Sequence, residues 1–330
     1  MRSFRPLLML ASFAALSLAP APAKSPPSLA FASRRDGHWE IYRMDADGRS
    51  QTRLTSRSGE NRFPIWSPDG RRIAFGSTTG SHWDLWVMDA DGRHPVQLAT
   101  GIAAKSPRSW SPDGTRILCV LIRDGNRDVY SVRADGTGVT RLTESPGDDD
   151  VPQWSPDGRR IAFMSERDGN REIYVMQSDG SRPVRLTTHP APDGDPFWSP
   201  DGRRIAFNSE RDGRRQLYVM DADGARVTRI TTDSSADAIP EWSPDGTRIA
   251  FQAVRGRNYD IEVVDPDGRH RVRLTSDTTY DGALAWSPDG RRIAFISDRA
   301  GYSAVFLISP DGSGAVRLTD GPSLTPSWSR

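Results

Sequence analysis

The pentapeptide Trp-Ser-Pro-Asp-Gly stands at Trp66–Gly70, Trp110–Gly114, Trp154–Gly158, Trp198–Gly202, Trp242–Gly246 and Trp286–Gly290, each copy 44 residues after the last. A truncated copy, Trp328-Ser329-Arg330, closes the sequence. Its chemistry specifies a turn. Ser suits the first position of a type I turn, Pro pre-sets φ at the second, Asp tolerates the third, and Gly takes the left-handed residue that follows. An apolar run such as Ile73-Ala74-Phe75 comes after each copy. Each pentapeptide therefore reads as a hairpin corner between two strands, with the Trp ending the first. A period this strict is the signature of a repeat fold and outranks every other signal.

Counted from Leu29, units start at residues 29, 73, 117, 161, 205, 249 and 293. The unit from Ile161 to Arg204 shows the pattern. Ile161-Ala162-Phe163 is a short strand, and Arg167-Asp168-Gly169-Asn170 a turn. Ile173–Met176 is a second strand, Ser178-Asp179-Gly180 the next turn, and Val184–Thr187 a third strand. A Pro-rich loop then leads to a very short fourth strand, Pro196-Phe197-Trp198. The Pro two residues before the Trp recurs at 64, 152, 196, 240 and 326, and is placed at the first residue of its strand, where a missing donor does least harm. Near-continuous apolar strands imply sheets buried on both faces. Four short antiparallel strands per unit, repeated seven times, predict an all-β, seven-bladed β-propeller. The first unit lacks a Trp strand before it. Trp328 is therefore expected to supply the innermost strand of the blade made by residues 29–56, closing the ring and removing its free edges.

Composition agrees with many thin cores. Only 36% of the 330 residues are apolar, and the formal charge of +1 excludes binding of nucleic acid or anionic membrane by bulk electrostatics. One cysteine, Cys119, excludes a disulfide framework or a cysteine-rich metal site. Arg2 and Arg5, the apolar run Leu7–Leu18, and Ala19-Pro20-Ala21-Pro22-Ala23 have the pattern of a secretory signal peptide over residues 1–23, cleaved after Ala23. Residues 24–28 form a short linker to the repeats, and the expected location is the periplasm.

The repeat Pro-x-Trp-Ser-Pro-Asp-Gly-x-x-Ile-Ala-Phe, followed by Arg-Asp-Gly, Ile-Tyr and Asp-Gly, resembles the TolB-type β-propeller repeat over residues 29–330. TolB itself is six-bladed and carries an extra α/β domain before its propeller, which this sequence is expected to lack. Similar repeats form non-catalytic propellers of some peptidases and the oligogalacturonate lyases. The resemblance implies a non-catalytic periplasmic scaffold whose partner is a peptidoglycan-associated lipoprotein of the Tol-Pal system. The alternatives are a glycan-binding or carbohydrate-active propeller of the oligogalacturonate-lyase kind, and a regulatory propeller related to those of peptidases. A monomer without cofactor or metal is expected.

In a propeller of this topology the Ser-Pro-Asp-Gly and Asp-x-Asp-Gly turns share one face. The Arg-Asp-Gly turns and the long loops share the other, where binding residues are sought. Asp45-Ala46-Asp47-Gly48 lacks the further acidic ligands that a calcium loop needs. On the variable face Asp149, Asp193, Asp237 and Asp281 recur five residues before the Trp. In an architectural reading each caps backbone N–H groups or pairs with a turn arginine (Arg123, Arg167, Arg211 or Arg255). In a functional reading they form an acidic mouth for a basic peptide or cation, joined by Asp148, Asp150, Asp195, Asp233 and Asp277. One repeat position reads Trp39, Trp83, Arg127, Arg171, Arg215, Tyr259, Ser303. With Tyr302, Phe63 and Tyr280, the aromatics make a candidate partner-binding arc opposite a charged arc. His189, alone in its long loop, joins the candidates. The other histidines, His38, His82, His94 and His270, are scattered over the units, and neither Gly-x-Ser-x-Gly nor His-Glu-x-x-His occurs. Cys119 replaces the Ala of an Ile-Ala-Phe strand and reads as a buried, inert thiol.

Overall fold

The computed structural model describes residues 26–330 apart from 57–58, 104–108, 234, 277–278 and 330. The expected signal peptide, the start of the expected linker and Asp277 lie outside the described residues. Those described form 28 strands and no helix. The first unit contributes β1 (Ser28–Ser33), β2 (Glu40–Asp45) and β3 (Thr52–Arg53). Next come β4 (Asn61–Trp66), β5 (Arg72–Thr79), β6 (His82–Asp89) and β7 (Val96–Ile102), then β8 (Ser109–Trp110), β9 (Arg116–Arg123), β10 (Asn126–Arg133) and β11 (Val139–Arg141). The third set of four is β12 (Asp149–Trp154), β13 (Arg160–Ser165), β14 (Glu172–Gln177) and β15 (Val184–Arg185). The fourth is β16 (Asp193–Trp198), β17 (Arg204–Ser209), β18 (Gln216–Asp221) and β19 (Thr228–Arg229). The fifth is β20 (Ala236–Trp242), β21 (Ile249–Arg255), β22 (Asn258–Val264) and β23 (Val272–Arg273). The last is β24 (Asp281–Trp286), β25 (Ile293–Ser297), β26 (Ala304–Ile308) and β27 (Val316–Arg317), followed by β28 (Ser323–Trp328).

Each set from β12 to β27 is a four-stranded antiparallel sheet in simple chain order. β4–β7 and β8–β11 merge into one eight-stranded sheet through the pairing of Ile102 with Leu121. The remaining sheet has the order β28-β1-β2-β3, with Leu29 opposite Trp328 and Ser33 opposite Ser323.

The pentapeptide turns form as their residue types dictate. Gly70 N–H donates to Ser67 O at 2.9 Å, Ser67 Oγ donates to Asp69 Oδ1 at 2.6 Å, and Gly70 sits at φ +67°. The turns also touch one another: a Cβ on Gly158 would lie 3.4 Å from the Pro112 ring of the preceding turn. Both the positive φ and this close approach favour glycine.

Packing between sheets explains the Ile-Ala-Phe order. Ile205 and Phe207 pack on Ala162, Ile173 and Val175 of the preceding sheet. The small Ala gives the space that the next sheet's Phe fills, and Ile205, Ala206 and Phe207 are all fully buried. The same arrangement sets Leu29, Phe31 and Tyr42 against Ala294, Val305 and Leu307, so that the first and last sheets share a core.

The Trp side chains bind unit to unit. Trp110 Nε1 donates to Ile65 O at 3.2 Å, Trp242 to Phe197 O at 3.1 Å, Trp286 to Glu241 O at 3.2 Å and Trp328 to Ala285 O at 3.1 Å. Trp66 makes the same bond to Ser327 O at 3.1 Å. In each case the acceptor is the residue before the neighbouring unit's own Trp. An arginine of the preceding sheet lies over the indole, as Arg204 does over Trp242 at 4.9 Å and Arg160 over Trp198 at 4.7 Å.

The innermost strand differs from expectation. It is six residues long in β16, and Pro196 is its fourth residue rather than its first. A β-bulge lies between Gly194 and Phe197, with Asp195 at φ +51°. Phe63, Val151, Ile239 and Ala283 hold the same positive φ, each one residue before the repeated Pro or its equivalent. The bulge takes the Pro out of the hydrogen-bond ladder, which is why a residue without an N–H is tolerated inside the strand.

Trp198 Nε1, unlike that of Trp242, has no hydrogen-bond partner. Both rings are nearly buried and both are covered by an arginine. Trp242→Phe is therefore expected to cost about 1–2 kcal/mol more than Trp198→Phe, because it also strands a buried carbonyl. Equal losses in denaturant melts of the two variants would show that the indole bond contributes nothing.

Candidate functional site: the long-loop face

The turn between the first two strands of each sheet meets the loop that enters the next sheet. Trp39 O accepts from Asn61 N at 2.7 Å, Arg171 O from Asp193 N at 2.8 Å, Arg215 O from Asp237 N at 2.8 Å, and Ser303 O from Ser323 N at 2.7 Å. The repeat position that varies most in chemistry thus sits at the joint between neighbouring units.

Asp149, Asp193, Asp237 and Asp281 are fully buried. They do not form an exposed acidic mouth, because each stands at or next to the start of an innermost strand with its side chain buried. Three of them meet arginines of the first turn: Asp149 with Arg167 at 3.2 Å, Asp193 with Arg211 at 2.9 Å, and Asp281 with Arg299 at 3.2 Å. The arginine also stacks on the sheet's own aromatics, with Arg167 4.6 Å from the Tyr174 ring. The turn Asp168 accepts from the Tyr174 hydroxyl, whose pKa burial and that bond push up to about 12. The Arg-Asp-Gly turn is thus consumed by its own sheet.

Asp237 is the exception. Arg255, in the expected position, turns instead to Asp233 at 3.0 Å and Asp260 at 3.2 Å. Two substitutions in the repeat divert it: Ala253 stands where Ser165, Ser209 and Ser297 stand, and Glu262 where Tyr174 and Tyr218 stand. The Ser235 hydroxyl lies 2.5 Å from Asp233 Oδ1 and 2.8 Å from Asp237 Oδ1, and its one proton serves one of them at a time. Burial would raise the Asp233 carboxyl, but Ser235, Arg271 and Arg255 outweigh it and bring it down to about 2. Burial raises the Asp237 carboxyl above its ordinary value, and Asp237 Oδ2 has no hydrogen-bond partner.

The aromatics form separate groups rather than one arc. Arg62 of β4 lies 4.7 Å from the Trp39 ring and 5.9 Å from the Trp83 ring, and Phe63 is 5.5 Å from Trp83. Trp39, Phe63 and Trp83 are half-buried. The two indoles lean on neighbouring cores, that of Phe31's sheet with the next and that holding Leu85 and Leu121. Tyr259 and Tyr280 pair at 5.2 Å. Tyr302 packs on the core holding Phe295 and Phe306, and its hydroxyl accepts from Arg317 Nη1 at 3.5 Å. His189 is half-buried and holds its own loop, with Nδ1 accepting from Ala191 N at 3.0 Å.

The charged positions line a cleft of about 240 Å³ between β12–β15 and β16–β19. Arg127, Asp148, Asp150, Glu166 and Arg171 form one side. Asp193, Asp195, Asn208, Glu210 and Arg215 form the other, with Met164 and Pro192 as apolar lining. The arginines are tied to carboxylates: Arg127 to Asp150 at 2.9 Å, Arg171 to Glu166 at 2.8 Å, and Arg215 more loosely to Asp195 at 3.9 Å. Sequence reasoning singled out Asp148, Asp150 and Asp195 but missed Asn208. Its signal was partial: Gly76, Val120, Met164 and Ile296 occupy the equivalent position in four other units, but Gln252 is a second amide there.

The model of the TolB beta propeller domain matches residues 7–107, 93–182, 144–241 and 236–330. The chain belongs to the TolB β-propeller family. No curated protein matches it. Among solved structures it is similar to TolB from Acinetobacter baumannii, with 20% identity and a TM-score of 0.61 over 93% of this chain and 68% of that one. It is also similar to an oligogalacturonate lyase in complex with manganese, with 19% identity and a TM-score of 0.72 over 86% and 85%. A puromycin-hydrolyzing peptidase from Mycobacterium tuberculosis shares 17% identity and a TM-score of 0.69 over 90% of this chain and 54% of that one. Such distant likenesses, to proteins of different activities, establish the TolB-propeller fold alone.

On this TolB-type propeller the histidines are dispersed. His94 and His270 pair with Asp89 and Asp265 of their own tight turns at 2.7 Å. Among the described residues no cluster of three His, Cys, Asp or Glu side chains has the arrangement to hold a metal. Asp47 Oδ1 accepts from Arg49 N at 3.1 Å and so closes its own turn. Cys119 is fully buried, which pushes its thiol up to about 12.

The raised Asp237 carboxyl has a pH signature. In the unfolded chain it ionises near pH 4, whereas the folded protein binds its proton to higher pH. Its contribution to stability is therefore full below the unfolded pKa and is lost as pH rises through the folded one. Asp237→Asn removes this term, so the melting temperature of the variant minus that of the wild type is expected to grow between pH 4 and pH 7. A difference independent of pH would remove the assignment.

Proposed function

We propose that this chain is a non-catalytic, periplasmic protein-binding propeller of seven blades, which holds an envelope protein on its long-loop face. The observation that carries the reading is the half-buried stack of Trp39, Arg62, Trp83 and Phe63, a rigid aromatic–arginine surface at the joint of two units. Such residues supply contact area at small entropic cost and dominate protein interfaces. Membership of the TolB propeller family supports a partner of the peptidoglycan-associated lipoprotein class. Cross-linking in the periplasm followed by mass spectrometry is expected to recover one such lipoprotein stoichiometrically. A Trp39→Ala, Trp83→Ala double variant that still melts cooperatively should lose that partner by about tenfold or more in affinity. Full retention, or stabilisation by oligosaccharides with no protein partner, overturns the reading.

The ring belongs to the same proposal. It is supported by the β28–β1 pairing, the core shared by the first and last sheets, and the Trp66 bond to Ser327, which repeats the bond between other neighbours. Truncation after Pro322 removes β28 with its buried Trp328. The expected loss is roughly 3–5 kcal/mol or more, enough to abolish the native melt of a protein of ordinary stability. An unchanged melting temperature would refute closure by this strand.

A further inference from the structure

We propose that the cleft between β12–β15 and β16–β19 is a binding site for a primary alkylammonium group, distinct from the aromatic stack and independent of the partner assigned to it. Its lining holds six carboxylates (Asp148, Asp150, Glu166, Asp193, Asp195, Glu210) against three guanidiniums (Arg127, Arg171, Arg215). With Arg211 neutralising Asp193 from behind, an excess of negative charge remains. A cleft of this sign concentrates cations.

The second observation is independent of charge. Asn208 is only 3% exposed, lines the cleft, and its Oδ1 has no hydrogen-bond partner. Its Nδ2 donates to Asp195 Oδ2 at 3.1 Å, which fixes the amide orientation, since the reverse would set two oxygens against each other. Asp193 Oδ1, also buried and lining the cleft, likewise lacks a partner. The stranded atoms are thus acceptors. A buried acceptor without a donor is costly, so the site is completed by a ligand that brings N–H groups.

The arginines do not offer an anion site, because Arg127 and Arg171 are already held by Asp150 and Glu166, and Arg215 faces Asp195. Nor do the carboxylates come together as metal ligands among the described residues. An ammonium head supplies three donors and a positive charge, and its alkyl stem fits beside Met164 and Pro192. Two sources share this chemistry: a free diamine and the side chain of a lysine in a protein segment.

The experiment is calorimetric titration of the full chain at low salt with 1,5-diaminopentane, with an end-blocked lysine tripeptide, and with the same peptide acetylated on its side chains. The wild type is expected to bind at least one of the two amines, more weakly as salt rises, and not the acetylated peptide. Binding of the diamine alone or of both amines identifies a small-amine site, and binding of the peptide alone an anchor for a protein segment. Asn208→Met places in β17 the residue that Met164 provides at the equivalent position of β13, and so is expected to fold with an unchanged or higher melting temperature. It should weaken amine binding by about tenfold. Asp195→Asn should weaken it similarly and flatten its salt dependence. The proposal is overturned if neither amine binds, if the acetylated peptide binds equally, if inorganic phosphate binds in their place, or if folded Asn208→Met binds as the wild type does.

Discussion

The ladder of hydrogen bonds runs within a sheet, so a stack of sheets depends on contacts outside the ladder. One of them is the indole of the innermost strand, donating to a carbonyl of the neighbouring unit beneath an arginine lid. The acceptor always lies one residue before the preceding Trp, as with Trp242 and Phe197 or Trp286 and Glu241. This contact joins neighbouring units at the innermost strand and acts beside the Ile-Ala-Phe packing, which is also present where the bond is missing, as at Trp198. Trp154 and Trp198 leave the indole N–H unpaired, so two joints of the stack do without this bond; at the Trp198 joint Arg160 over the indole and the bond from Asp193 N to Arg171 O remain.

Much of the architecture was legible because it is written in local chemistry. Ser-Pro-Asp-Gly can do little except turn, and the Ile-Ala-Phe and Ile-Tyr runs can do little except lie buried between turns. The bulge was not legible. Phe63, Val151, Asp195, Ile239 and Ala283 share a left-handed φ, and no common side chain announces it. The buried carboxylates were half legible: spacing placed Asp149 and its equivalents at the start of a strand, but spacing alone cannot distinguish an oxygen facing solvent from one facing Arg167. Asn208 belongs to a third kind. Its significance depends on which sheet faces it, and that is a property of the stack rather than of any stretch of sequence.

The near-zero net charge conceals a strongly paired interior. Glu172 is buried on β14 beside Arg185, and Asp128 on β10 beside Arg141, repeating the logic of Asp149 and Arg167 in a second layer. Breaking one partner of such a pair leaves a buried charge, so these pairs constrain register more than they add stability. Where the pattern changes, as at Ala253 and Glu262, the arginine is diverted and Asp237 is left with an unpaired oxygen. The repeat thus tolerates chemical variation by rewiring charges inside a fixed backbone.

The pairing of β28 with β1 also governs how the chain can reach this state. Ser28 and Ser329, hydrogen-bonded at 2.8 Å, are 301 residues apart, whereas consecutive units close over 44. Closing so long a loop costs about 2 kcal/mol more chain entropy than closing one unit. The sheets from β4 to β27 can assemble from neighbours alone, but the sheet that uses both ends must wait until nearly the whole chain is present and ordered. Its folding is therefore expected to be the slow, late and most non-local step, during which β1 and β24 present unpaired or uncovered surfaces to any other chain nearby.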